Sequence, residues 1–240
     1  MTELRTHEID LLGNAVEYEV RRSADATEPR IDVDIHGVTV VVPETDDRQP
    51  AELLRENAAW VVEKHRSYER YRKQAPDRNF ESGERFPYLG RDRELVVEPR
   101  PNHAVGEDSI YLRRSAVDQS SVKRVLENFY RDEARDHFTT RADRYAQAMG
   151  VEYEKIEIRN QRTKWGSCST TGTLGLNWRL MMAPPDVVDY VLVHELAHLR
   201  EQNHTDEFWR LVGEHVPEYE AKAQWLEENS VNLIFTEDDL

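Results

Sequence analysis

Apolar and polar residues alternate at Val16, Tyr18 and Val20, and again at Ile31, Val33 and Ile35, the period of strands with one buried face. Val38 to Val42 is a β-branched run stopped by Pro43, which predicts a third strand in a mainly antiparallel N-terminal sheet. From 51 to 73 the period lengthens: Leu54, Ala58, Val61, Val62, His65 and Tyr68 recur at helical spacing. Short strands are expected over 88–98 and 109–113, then one long helix over 117–149 ending at Gly150. Strands near 155–160 and 173–178 flank a segment where Gly166-Ser167 reads as a tight turn. Pro184-Pro185 sets up a further helix from Asp186, whose carboxylate can cap it. The pattern is α+β, with an N-terminal mainly antiparallel sheet plus helix followed by a helical half with a small sheet. We expect a strand-rich subdomain over 1–114, a second over 115–229, and a loosely held tail over 230–240.

Composition narrows the class. The 240 residues include 38% hydrophobic and 33% charged positions, with no apolar stretch long enough to cross a bilayer. The N-terminal MTELRTHEID is polar and unlike a secretory signal, so a cytoplasmic location is the expectation. A net charge of −15 opposes unaided attraction to nucleic acid or anionic membrane. A salt-rich cytoplasm and an ordinary acidic surface account equally well for 6 lysines against 26 arginines. The single cysteine, Cys168, excludes an intrachain disulfide and any multi-cysteine metal site. It is expected to be a buried structural thiol rather than a fourth ligand or redox latch.

The chemistry concentrates in DVVDYVLVHELAHLR, residues 186–200. Most of this helix is apolar on every side and belongs inside the protein, so His194, Glu195 and His198 are costly occupants unless they have a task. A spacing of four residues turns a helix by about 400°, so His194 and His198 project about 40° apart, one turn from each other. Two imidazoles so placed can grip one zinc ion, with Glu195 beside them to act on a water. His204 is the expected third ligand, with Glu214 and His215 as alternatives. It is too far along for one continuous helix, so the chain must turn at Gln202-Asn203, where Asn tolerates a left-handed conformation, and Thr205 can cap the next helix. Arg159, Arg162 and Lys164 form a basic cluster that could hold a substrate anion or pair with the protein's own acids. Trp165 and Trp178 read as packing first and substrate contacts second, while Asn177 suits either a strand end or support of a zinc histidine. Tyr219 could donate to a developing oxyanion, although a packed structural tyrosine is the favoured reading.

The segments RTKWGSC (162–168), LNWRL (176–180), YVLVHELAH (190–198) and NHTDEFW (203–209) closely resemble, in order and spacing, the YgjP-like metallopeptidase family. The VVVP strand and the helix around Trp60 look like that family's first half, so the resemblance spans about residues 15–228. Its zinc helix is similar to those of SprT-like and WLM-type proteases, some of which act on proteins bound to DNA. The resemblance implies a zincin-like second half and one zinc per chain. It also implies hydrolysis of a peptide or protein substrate, with His194, Glu195, His198 and His204 carried over directly. Substrate binding is assigned to Arg162, Lys164 and Trp165, and catalysis to Glu195 with Tyr219 in support. Two rival readings stay open: a zinc-site nucleotide pyrophosphatase using the basic cluster, and a non-catalytic zinc-stabilised module binding a protein or DNA-associated partner.

Overall fold

The computed structural model describes residues 6–24, 26, 28–34, 37–72, 76–161 and 164–236. Ile35, Lys73 and Arg162 lie outside the described residues. Among those described, α-helices combine with three small sheets into an α+β protein that divides into two compact units, residues 1–75 with 236–240, and 76–235.

In the first unit, β1 (Thr6–Leu11), β2 (Asn14–Ser23), β3 (Arg30–Asp34) and β4 (Gly37–Pro43) form one sheet in the order β1-β2-β4-β3. Two of its three pairings are antiparallel, and β2 runs parallel to β4. Helices α1 (Pro50–Glu56) and α2 (Ala58–Arg72) contribute Leu54, Val61 and Val62 to a core shared with Ile9, Leu11, Val16, Val38, Val40 and Val42. The alternating positions therefore face one layer of helix, as the period requires. The single helix expected over 51–73 is broken at Asn57, whose Nδ2 donates to the Leu53 carbonyl. Strand β1 escapes the period-2 reading because its first three residues, Thr6, His7 and Glu8, are exposed and polar.

The second unit starts with β5 (Arg85–Tyr88), β6 (Arg91–Glu98), β7 (Ala104–Val105) and β8 (Ser109–Arg113), in the order β5-β6-β8-β7. The strand expected over 88–98 is thus a hairpin turning at Leu89-Gly90. The short α3 (Arg114–Asp118) precedes α4 (Val122–Met149), so the long helix begins later than the apolar pattern suggests. Ser121 sets that start by accepting from the Arg124 N–H, and Gly150 ends the helix in the left-handed conformation. Leu95, Ile110 and Leu112 of this sheet share one core with Leu126, Phe129, Tyr130 and Phe138 of α4. The compact division consequently falls at 75/76, whereas the hydrophobic pattern alone places it at 114/115. The expected loose tail is also corrected over most of its length. Ser230–Leu233 is a 3-10 turn, and the ring of the buried Phe235 meets Trp178 edge-on at 5.0 Å.

A third sheet faces the helix that carries His194 and His198. It consists of β9 (Lys155–Arg159), β10 (Gly166–Cys168) and β11 (Thr173–Asn177), in the order β10-β11-β9, which leaves β10 on an edge. The turn expected at Gly166-Ser167 lies instead at Ser169–Gly172, where the Gly172 N–H donates to the Ser169 carbonyl at 3.0 Å. Three helices complete the unit: α5 (Pro185–Ala197), α6 (Asp206–His215) and α7 (Tyr219–Asn229). Asp186 is not the N-cap of α5, which is Pro184, but its carboxylate faces the backbone N–H groups of Asp186 and Val187 in the first turn. It also pairs with Lys222 of α7, and this lowers its pKa.

Candidate metal centre and active site

Helix α5 is buried along most of its length; Val187, Val188, Leu192, Val193, Leu196 and Ala197 are at most 1% exposed. Core packing therefore fixes the direction in which His194 and His198 project. The helix ends at Ala197, with His198 as its C-cap, and the Glu201 N–H closes back onto the Ala197 carbonyl at 2.9 Å. This elbow uses no left-handed Asn203, so the expected left-handed exit is replaced by a tighter turn starting four residues earlier. Thr205 caps α6 by accepting from the Phe208 N–H, as its position before TDEFW predicts.

Leaving α5 early brings His204 back over the helix. His194, His198 and His204 each offer one nitrogen, and the three lie within 4.8 Å of one another. The Nε2 atoms of His194 and His204 are 3.0 Å apart. A tetrahedral zinc with nitrogens at roughly 2.0–2.1 Å separates its ligand atoms by about 3.3 Å, so the donor set fits such an ion. His198 Nδ1 lies 3.1 Å from the Glu201 carbonyl, to which it can donate, leaving Nε2 free to ligate. Burial and the two neighbouring imidazoles push His194 down to about 4, and burial lowers His198 as well. Both are thereby held in the neutral form a metal requires. The other two candidates for third ligand are engaged elsewhere. Glu214 pairs with Arg210, and His215 Nδ1 faces the Leu211 carbonyl.

Glu195 is 6% exposed and has no hydrogen bond or ion pair among the described residues. Burial pushes its pKa up to about 7, with Lys164 opposing the rise. Its carboxyl lies against the backbone of Gly166: a Cβ there would come within 2.6 Å of Glu195 Cγ, 2.8 Å of Cδ, and still closer to Oε1. Glycine at 166 is thus what lets the edge strand and the carboxyl share this space.

Two depressions meet at Lys164, Gly166, His194 and Glu195. One, of about 370 Å³, is walled by Trp165, Tyr190, Val191, Ala223 and Leu226, with Glu227 on its rim. The other, of about 530 Å³, follows the edge strand from Gly166 to Thr170 and passes His198 and His204. Lys164 and Trp165 therefore line the site, while Arg162 lies outside the described residues. Arg159 bonds to Glu157 at 2.6 Å. Trp178 is fully buried and donates to Asn160. Asn177 donates to the Gln161 and Lys164 carbonyls, so it ties the loop before β10 to the end of β11. Cys168 is half-buried, outside the metal-competent group, and pushed up to about 11 by burial and the nearby Glu195. Tyr219 lines neither depression; its ring stacks on Trp209 at 5.1 Å. Tyr190 brings a phenol into the first depression instead. The sequence signal for it was a polar-tipped ring one helical turn before His194.

A helix presenting His-Glu-x-x-His and a third histidine from the following elbow form a group able to hold a metal ion, with an edge strand alongside. The family model described as "YgjP-like, metallopeptidase domain" matches residues 27–229, and the chain belongs to that family. Two solved structures are similar over a smaller part. They are the metallopeptidase zymogens of Pyrococcus abyssi abylysin (21% identity, 39% of this chain and 95% of that one, TM-score 0.36) and Methanocaldococcus jannaschii jannalysin (24%, 40% and 97%, TM-score 0.35). A comparison with curated protein sequences returns no match. Among the described residues, no helix is long and apolar enough to cross a membrane.

Proposed function

We propose that this protein is a zinc metallopeptidase in which His194, His198 and His204 hold one metal ion and Glu195 is the general base. The observation that carries the reading is the convergence of three histidine nitrogens within 4.8 Å beside a buried glutamate that has no ion pair among the described residues. When bound, zinc supplies Lewis acidity, polarising a carbonyl and making a water acidic near neutral pH. Glu195 takes the proton from the attacking water and passes it to the leaving amine, a task suited to a carboxyl whose pKa burial has raised to about 7. The free edge of β10 pairs with an extended peptide, main chain to main chain, which gives affinity with little sequence preference. The pocket of Trp165, Tyr190 and Leu226 beside it receives a substrate side chain. Lys164 and the Tyr190 phenol line the same depression, and we assign them to orienting the substrate carbonyl. Arg159 pairs with Glu157, and among the described residues Lys164 is the member of the basic cluster that lines both depressions.

The test is digestion of an unstructured protein by the zinc-loaded chain. Cleavage should stop on chelation and return with zinc. Glu195→Gln should keep the metal and lose about three orders of magnitude in rate. A full rate in that variant would contradict the mechanism.

A further inference from the structure

The three histidines are not held alike. His194 lies in a buried helix, and the Nδ1 of His198 is anchored on the Glu201 carbonyl. His204 is exposed and sits in the elbow between α5 and α6, and among the described residues its one hydrogen-bond contact is with the Nε2 of His194. A ligand of this kind loses rotamer freedom when it binds a metal, so whatever holds it beforehand strengthens binding.

The side chains around it are rings. Phe208, fully buried, is a floor under all three imidazoles, with centroids 4.9, 4.6 and 4.7 Å from His194, His198 and His204. Trp209 stacks on the His204 face at 5.5 Å and 23°, and meets His194 at the edge. Behind it, Tyr219 stacks on Trp209 at 5.1 Å and 12°. Local sequence builds this column. The Thr205 cap starts α6, so Trp209 follows His204 by five residues, and Tyr219 opens α7 on the far side. Resting on the three-histidine reading above, we propose that Trp209 is a positioning residue. It holds the His204 imidazole in its metal-ready orientation, and Tyr219 backs it.

Stacked aromatic pairs shift an equilibrium by a few-fold to about tenfold, and groups that orient metal ligands commonly act on affinity by about 10–100-fold. The test is zinc affinity measured by competition with a chromogenic chelator. Trp209→Ala should weaken zinc binding about tenfold, and Trp209→Phe should recover most of it. In a His204→Ala background Trp209→Ala should cost nothing further, because its effect passes through His204. Should Trp209→Ala fold poorly, Trp209→Leu keeps apolar bulk without a ring face and should show the same loss at an unchanged melting temperature. Wild-type affinity in folded Trp209→Ala or Trp209→Leu would overturn the proposal. So would an equal loss with and without His204. Wild-type protein that takes up no zinc would overturn the three-histidine site itself and this inference with it.

Discussion

Helix α5 carries two buried carboxylates six residues apart, and they have opposite surroundings. Asp189, 7% exposed, accepts both arms of the Arg141 guanidinium and the Tyr145 hydroxyl at 3.0 Å, so α4 and α5 are clamped together. Glu195, 6% exposed, has no ion pair or hydrogen bond among the described residues; Lys164 acts on it only through its charge, and Gly166 makes room for it. Burying a carboxylate is costly, and a fold recovers that cost by pairing it. Asp189 follows that rule and is a structural element. Glu195 does not follow it and lies beside three histidines, surroundings that support the general-base role proposed for it.

Three substitutions sharpen this contrast. Gly166→Ala drives a methyl into the Glu195 carboxyl, and a displacement of about 1 Å at a reacting group costs up to about 100-fold in rate. Steady-state kinetics should show that loss with zinc content and melting temperature little changed; equal loss of zinc would mean the whole helix has moved. Asp189→Asn leaves Arg141 without its carboxylate and should destabilise the protein by about 3 kcal/mol in denaturant titration, at the low end for a broken buried pair because Arg141 is partly exposed. The third effect has the opposite sign. In metal-free protein burial pushes the Glu195 carboxyl from its ordinary 4.5 up to about 7, so the folded state binds the proton more tightly than the unfolded one. That advantage is fully present below pH 4.5 and is lost as the pH rises through 7. Glu195→Gln should therefore stabilise the metal-free protein by up to about 3 kcal/mol at pH 8 and by little at pH 4. Equal melting curves at both pH values would show that Glu195 finds a partner in solution.

Much of this was legible in the sequence because helix geometry is rigid. The spacing of His194 and His198 fixes a shared face, and Thr205 before TDEFW fixes where α6 begins. The period-2 runs marked the sheet of the first unit for the same reason. What escaped depends on contacts distant in sequence. Gly166 reads as a turn residue, yet it lies in a strand because Glu195, 29 positions later, occupies its missing side chain. Asn203 reads as a left-handed exit, but the helix had already ended at Ala197. Phe235 reads as part of a polar tail until Trp178 and Phe86 appear around its ring. Tyr219 and Trp209 look like ordinary packing, and only the stack on His204 gives them a place beside the metal site.

The most direct test of the account is X-ray absorption at the zinc edge of the purified protein. It should show one zinc per chain with three imidazole nitrogens at about 2.0–2.1 Å, no sulfur, and a remaining position open to solvent exchange. A sulfur at about 2.3 Å from Cys168, or a closed shell of four protein ligands, would contradict a hydrolytic centre at this site.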